Sequence, residues 1–297
     1  MRRRPTAGVG AALILAGAAL GAGAVLLSLS WAAGRAFLSR PKVALLTIEG
    51  TIFDSRPVVE VLERYRRDRS IKALVVRVDS PGGAVGPAQE IYQALRDFRA
   101  EGRPVVASLG SVAASGGYYV ALGAEKIYAN PGTITGSIGV VILLSNFEEL
   151  MKKVGVGVTV LKTGALKDAG SPLRRLTEAD RRVLQGLIDD AYEQFVRAVM
   201  RGRRMSRERV RRVADGRVLS GERAKGEGLV DELGNLQEAV AAAAALAHIP
   251  GRPTVVEERP ELGLLGRLIR LMLPGEVLRW GGTLRVPAVR LQYMWQY

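Results

Sequence analysis

The sequence predicts an α/β domain, built on a mostly parallel sheet with crossover helices and preceded by one transmembrane helix. Three observations carry that expectation. From residue 43 onward short apolar runs alternate with stretches of helical periodicity, glycine-containing turns separate them, and the first forty residues hold a long uncharged segment.

The uncharged segment comes first. Thirty residues between Arg4 and Arg35 carry no charge, "PTAGVGAALILAGAALGAGAVLLSLSWAAG", and about twenty suffice to cross the hydrocarbon core as a helix. The run exceeds the apolar region of a cleavable signal peptide, so a retained anchor is expected, although "WAA" near its end would allow cleavage. Arg2, Arg3 and Arg4 keep the N-terminus cytoplasmic against the weaker counter-bias of Arg35, Arg40 and Lys42. The expected location is the cell membrane, single-pass, with the bulk of the chain on the extracytoplasmic side.

The runs "VALLTIEG" (43–50), "KALVVRVDS" (72–80), "PVVASLG" (104–110), "KIYAN" (126–130) and "GVVILL" (139–144) read as strands, several buried on both faces. Between them "PVVEVLERYRRD" and "GPAQEIYQALRDFRAEG" have apolar residues at helical spacing, the second closing on Gly102 before Pro104. Thr177 and Asp180 form a capping-box-like start to a long helix, a second helix begins at Ser206, and "NLQEAVAAAAALAHI" is a third. The expected division is 1–40 for the basic end and anchor, 41–250 for the globular domain, and 251–297 for a basic amphipathic tail. That tail would contact the membrane interface or a neighbouring subunit, or pack on its own domain.

Composition excludes whole classes of chemistry. There is no cysteine, hence no disulfide framework, cysteine nucleophile or thiolate metal site, and one histidine rules out HExxH-type zinc chemistry. The net charge is +14, of which +9 lies beyond residue 40. Its densest run, Arg197 to Arg212, has eight arginines and no aromatic residue on which a base could stack. A solvated or lipid-facing helix fits it better than nucleic acid, and no nucleic-acid partner is expected.

Three stretches have unusual composition. "DSPGGAVG" (79–86) sits between a strand and a helix, where Gly82 and Gly83 would permit positive φ and present N–H groups near a helix start. It could equally be an ordinary glycine turn. "SVAASGGYYVA" (111–121) places Ser115 after a strand and before two glycines, either as an exposed nucleophile or as a small residue allowing close packing. In the first case the N–H of Gly116 would face the same oxyanion, while Tyr118 and Tyr119 pack in the following helix. "NPGTITGSIGVV" (130–141) carries Ser137 among glycines, with a structural turn as its plain explanation.

A nucleophilic Ser115 needs a base. His248 ends an apolar helix before Pro250 and reads as a helix-end residue. Lysine is the other common base, and it must be neutral, which requires desolvation. "VLKTGALKDAGSP", after the strand-like "VGVTVL", offers Lys162 and Lys167. Lys167 follows small and apolar neighbours, yet a solvated loop lysine is the simpler reading from the residues alone.

"DSPGG", "AASGGYY", "TGSIGV", "KTGALKDAGSP" and "GRVLSGERAKGEGLVDELG", in this order from about residue 43 to 248, resemble the short form of signal peptide peptidase A. That family is one of membrane serine proteases with the Clp protease/crotonase-like fold of repeated ββα units. The resemblance implies Ser115 as nucleophile, Lys167 as general base and Ser137 as the group that orients the lysine. Gly116 with Gly82 or Gly83 would form the oxyanion hole. It implies no cofactor and no metal, cleaved signal peptides and other apolar peptides as substrates, and a homo-oligomeric ring, an octamer, in which each lysine serves a neighbour's serine. Arg174 and Arg175 make the base segment basic. Other readings are a membrane serine protease that clips stomatin-like partners, a crotonase-type enzyme acting on acyl thioesters, and a non-catalytic scaffold of the same fold.

Overall fold

The computed structural model describes residues 41–258 and 292–294. The expected anchor and nearly all of the tail lie outside the described residues, and among the described residues no helix is long and apolar enough to cross a membrane.

Strands β1 (Lys42–Glu49), β2 (Ile71–Ser80) and β4 (Val105–Ala114) are the centre of the sheet, joined by helices α1 (Arg56–Arg67) and α2 (Val85–Ala100). The three run parallel, β1 beside β2 and β2 beside β4, as strand–helix–strand connections require. Their side chains alternate between two cores. Ala44, Leu46, Leu74 and Val76 pack with Leu62, Ile91 and Phe195 on one face, and Val43, Ala73, Val75 and Val106 pack with Ala239 and Ala243 on the other. Burial on both faces explains why the strands read as unbroken apolar runs.

The remaining strands extend the edges. β5 (Lys126–Ala129) and β6 (Ile134–Gly136) both lie parallel to β4, and β9 (Thr254–Glu257) lies parallel to β1. β7 (Val218–Ser220) closes the far edge antiparallel to β6, and β8 (Glu232–Leu233) pairs with β5. A three-residue strand, β3 (Gly82–Ala84), leaves the main sheet and pairs antiparallel with β10 (Gln292–Met294).

Between β3 and the far edge come α3 (Gly116–Ala121), α4 (Glu148–Lys153), α5 (Glu178–Arg203), α6 (Arg207–Val213), α7 (Gly221–Gly226) and α8 (Leu236–Leu246). The expected capping box at α5 is present, with Asp180 N–H donating to Thr177 Oγ1 (3.2 Å) and Thr177 N–H to Asp180 Oδ2 (2.9 Å). Helices α6 and α8 begin where the sequence placed them, capped by Ser206 and Asn235.

Two expected strands are absent. Residues 139–144 and 156–161 are irregular. The actual strand is β6, which begins five residues earlier, flanked on both edges by β4 and β7; Ser137, with φ of 49°, turns the chain out of the sheet. The run at 156–161 finds no strand edge among the described residues, and its apolar side chains stay exposed.

Candidate active site

Strand β4 changes neighbours along its length. Val106 to Leu109 pair with β5, whereas Val112 to Ala114 pair with β6. The second half brings Ser115, the next residue, alongside Ser137, the next residue after β6. Ser115 has φ 52° and ψ −116°, a conformation that an L-residue with a Cβ adopts only when its surroundings impose it. Two bonds impose it here. Ser115 N–H donates to Gly136 C=O (2.8 Å), and Ser115 C=O accepts from Tyr119 N–H (2.8 Å) within the first turn of α3. The hydroxyl makes no capping bond to α3 and is left for the pocket beside it.

The glycines around Ser115 are where backbone meets backbone. A Cβ on Gly117 would lie 2.6 Å from Ser80 C=O, so α3 starts directly against the end of β2. A Cβ on Gly83 would lie 2.1 Å from Ile52 C=O. Ile52 N–H donates to Gly82 C=O (2.9 Å), and Ala84 N–H donates to Ile52 C=O (2.7 Å). Alternation along β3 therefore aims the Gly83 N–H and C=O at the opposite edge, along which β10 runs. Gly82, at φ 105°, already donates its N–H to Ser80 Oγ (3.1 Å). Gly116 is the first residue of α3, where an N–H has no intrahelical acceptor.

Ser115 and Ser137, 1% and 7% exposed, share a pocket of about 470 Å³. Ile138, Val140, Val141 and Ile188 supply apolar wall, Tyr192 closes one side, and Asp189 and Asp215 reach it from α5 and the loop after α6. Asp215 is held down to about 2 by its hydrogen bonds with Arg217, which keeps it ionised and a poor proton acceptor. Among the described residues no lysine or histidine lines the pocket. His248 follows α8, as expected of a helix-end residue, and lines a separate hollow with Arg66, Arg69 and Arg103.

The two candidate lysines differ in their partners. Lys162 Nζ donates to Ala165 C=O (3.0 Å) and forms an ion pair with Asp168. Lys167 is exposed and makes no ion pair or hydrogen bond among the described residues. Its segment is nevertheless fixed at one point, because Arg174 bridges Asp168 (2.8 Å) and the α5 capping residue Asp180 (3.0 Å). Arg174 holds both carboxyls well below the usual carboxylate range.

Sequence reading singled out Ser115, Ser137 and the glycines that the fold brings together, but not the pocket walls. Ile188 and Tyr192 look like ordinary helix residues, and Asp215 lies in an unremarkable turn. Their only signal is tertiary.

A strained serine at the carboxyl end of a parallel strand, beside backbone N–H groups and an apolar pocket, is the arrangement of a serine hydrolase. The chain belongs to peptidase family S49, whose profile matches residues 97–250, and is a serine peptidase. A candidate protease of Synechocystis sp. is 44% identical over 213 residues, 71% of this chain and 76% of its own length. A candidate signal peptide peptidase of Enterococcus faecium is 34% identical over 215 residues, covering 68% of this chain and 62% of the relative. Protease 4 of Salmonella typhi is 35% identical over 240 residues, 76% of this chain and 39% of that longer protein.

Proposed function

We propose that the chain is a membrane-anchored serine endopeptidase in which Ser115 attacks the peptide carbonyl and Lys167 is the general base. The observation that carries this reading is the conformation of Ser115, held at φ 52° beside Ser137 at the mouth of a pocket that no lysine or histidine among the described residues lines. Neutral Lys167 takes the Ser115 hydroxyl proton as Oγ bonds to the carbonyl carbon. The lysine then protonates the departing amine, and water, activated in the same way, releases the acyl group. Ser137 accepts a hydrogen bond from the lysine and orients it. The N–H groups of Gly116 and of Gly82 or Gly83 face the oxyanion.

The base comes from a second copy of the chain. Two features support this: Lys167 is not in the Ser115 pocket, and its segment is flanked by exposed apolar side chains. Leu161 is 94% exposed, with Leu150, Val154, Val156 and Leu166 also open to solvent. Apolar surface on that scale marks an interaction site, and covering it with a neighbour would take Lys167 out of water. A ring of such contacts gives one shared site per interface.

Substrates are extended apolar peptides, including remnant signal peptides at the membrane, where the uncharged segment 5–34 would hold the enzyme. The outer edge of β3 takes an antiparallel strand within this chain, and a substrate pairing there would replace β10.

The test is labelling of the full-length protein with a fluorophosphonate, followed by peptide mapping. Modification at Ser115 is expected, and modification at any other serine overturns the assignment. Ser115→Ala and Lys167→Ala should each abolish cleavage of an apolar peptide ester, with partial recovery on mixing the two. Absence of recovery would refute the shared site.

A further inference from the structure

Strand β4 reaches Ser115 only through an irregularity. Val78 pairs with Leu109, an offset of 31 residues, but Ser80 pairs with Ala113, an offset of 33, so β4 carries two more residues than β2 across this step. The extra residues fall where β4 exchanges β5 for β6 as its neighbour. A bulge of this kind bends a strand and strands backbone groups without ladder partners. Here two side chains take them up. Val112 N–H donates to Asp79 Oδ1 (3.0 Å), and Gly110 C=O accepts from Thr133 Oγ1 (2.7 Å). The Thr133 hydroxyl also accepts from Asn130 N–H (3.2 Å), so it is used in both directions. Thr133 is 1% exposed, and the carboxylate of Asp79 sits so close to Gly110 that a Cβ there would lie 2.7 Å from Asp79 Cγ.

Asp79 opens the same "DSPGG" stretch that contributes Gly82 and Gly83. Its side chain therefore ties the turn that faces the oxyanion to the strand that carries the nucleophile, while Thr133 ties that strand to the approach to β6 and Ser137. We propose that Asp79 and Thr133 are positioning residues for acyl transfer: by bonding the bulge at 110–112 they set the place of Ser115 against the β3 glycines and Ser137. The inference rests on Ser115 being the nucleophile. Neither residue touches the reacting atoms, so the effect falls on the rate of acylation and not on substrate affinity. A displacement of about 1 Å at a nucleophile can cost on the order of a hundredfold in rate.

The decisive measurement is the second-order rate of Ser115 modification by a fluorophosphonate in the full-length protein, with kcat and KM for an apolar peptide ester alongside. Asp79→Ala and Thr133→Val should each slow modification and lower kcat by about ten- to a hundredfold with KM changed less than threefold. Asp79→Asn and Thr133→Ser, which keep an acceptor and a hydroxyl at the same points, should recover most of the rate. If wild-type Ser115 is modified but Asp79→Ala and Thr133→Val match it, the positioning role is wrong while the nucleophile stands. If Asp79→Asn is as slow as Asp79→Ala, the carboxylate acts through its charge and the hydrogen-bond account fails. If wild-type label maps elsewhere than Ser115, both readings fall together. Thr133→Val and Asp79→Ala act on opposite sides of the bulge, so misfolding of one leaves the other to decide.

Discussion

Ser115 and Ser137 stand side by side at the ends of two parallel strands, both at positive φ (52° and 49°), joined through the 2.8 Å bond from Ser115 N–H to Gly136 C=O. Neither residue type favours that region of backbone space, and each distortion costs on the order of 1–3 kcal/mol. Their coincidence in adjacent positions, on the rim of one pocket, is what the roles proposed for them, nucleophile and lysine-orienting group, would use. Ser137→Ala leaves the backbone register intact and removes only the hydroxyl. It should lower kcat by about tenfold or more through a misoriented base, while fluorophosphonate modification of Ser115 still occurs. Unchanged kcat would remove Ser137 from the mechanism.

Gly117→Ala tests the contact between α3 and the end of β2. The added methyl would meet Ser80 C=O at 2.6 Å, and neither backbone can give way alone. Activity should fall by about a hundredfold in a protein that still folds. Gly132→Ala, with nothing within 4 Å of the added Cβ, is the control and should behave as wild type.

Arg174→Met tests the anchorage of the lysine segment. Arg174 depresses the carboxyls of Asp168 and Asp180 below their ordinary value of 3.8, so the stability it contributes is complete above that value and is lost as the pH falls below it. The denaturation midpoint of the variant should lie under that of wild type by a constant amount near neutrality. The gap should narrow from about pH 4 downward. A gap that widens in acid would contradict the assignment. Faster amide exchange in residues 162–176 should accompany the change at pH 7.

Tyr118→Phe separates packing from chemistry. The Tyr118 hydroxyl is fully buried and donates to Leu229 C=O (2.7 Å). Removing it leaves a buried carbonyl unsatisfied, which should destabilise the fold by about 1–3 kcal/mol. Calorimetry should register a lower Tm with kcat essentially retained. Tyr119 plays the same structural part through edge contacts with Tyr92 and Phe195, at 5.1 and 5.0 Å between ring centroids.

Much of this was legible in the chain itself. The alternation of doubly buried strands and amphipathic helices specified the α/β class, because a strand covered on both faces must be apolar at every position. The caps of α5, α6 and α8 were readable because they are local: a hydroxyl or amide side chain reaches only two or three residues along. Ser115 and the glycines of "DSPGG" and "SGG" stood out because positive φ and backbone contact restrict residue choice. The absence of cysteine and the helix-end place of His248 made lysine the candidate base for a nucleophilic Ser115.

Other features belong to the tertiary structure. The strand beside Ser137 lies at 134–136 and not at 139–144, since periodicity registers apolar residues but not which sheet edge is free to pair. The change of neighbour along β4, and the work of Asp79 and Thr133 in holding it, involve residues 33 and 23 positions apart, as Asp79 with Val112 and Thr133 with Gly110. The walls from Ile188, Tyr192 and Asp215 come from segments that converge only when α5 and α6 pack. The sequence by itself determined the class of fold and the residue types able to carry the chemistry, because those depend on composition, period and local backbone demand. Which of them meet, and that Lys167 stays outside the pocket of its own Ser115, was decided by strand register and packing, which bring distant residues together through contacts that no local pattern encodes.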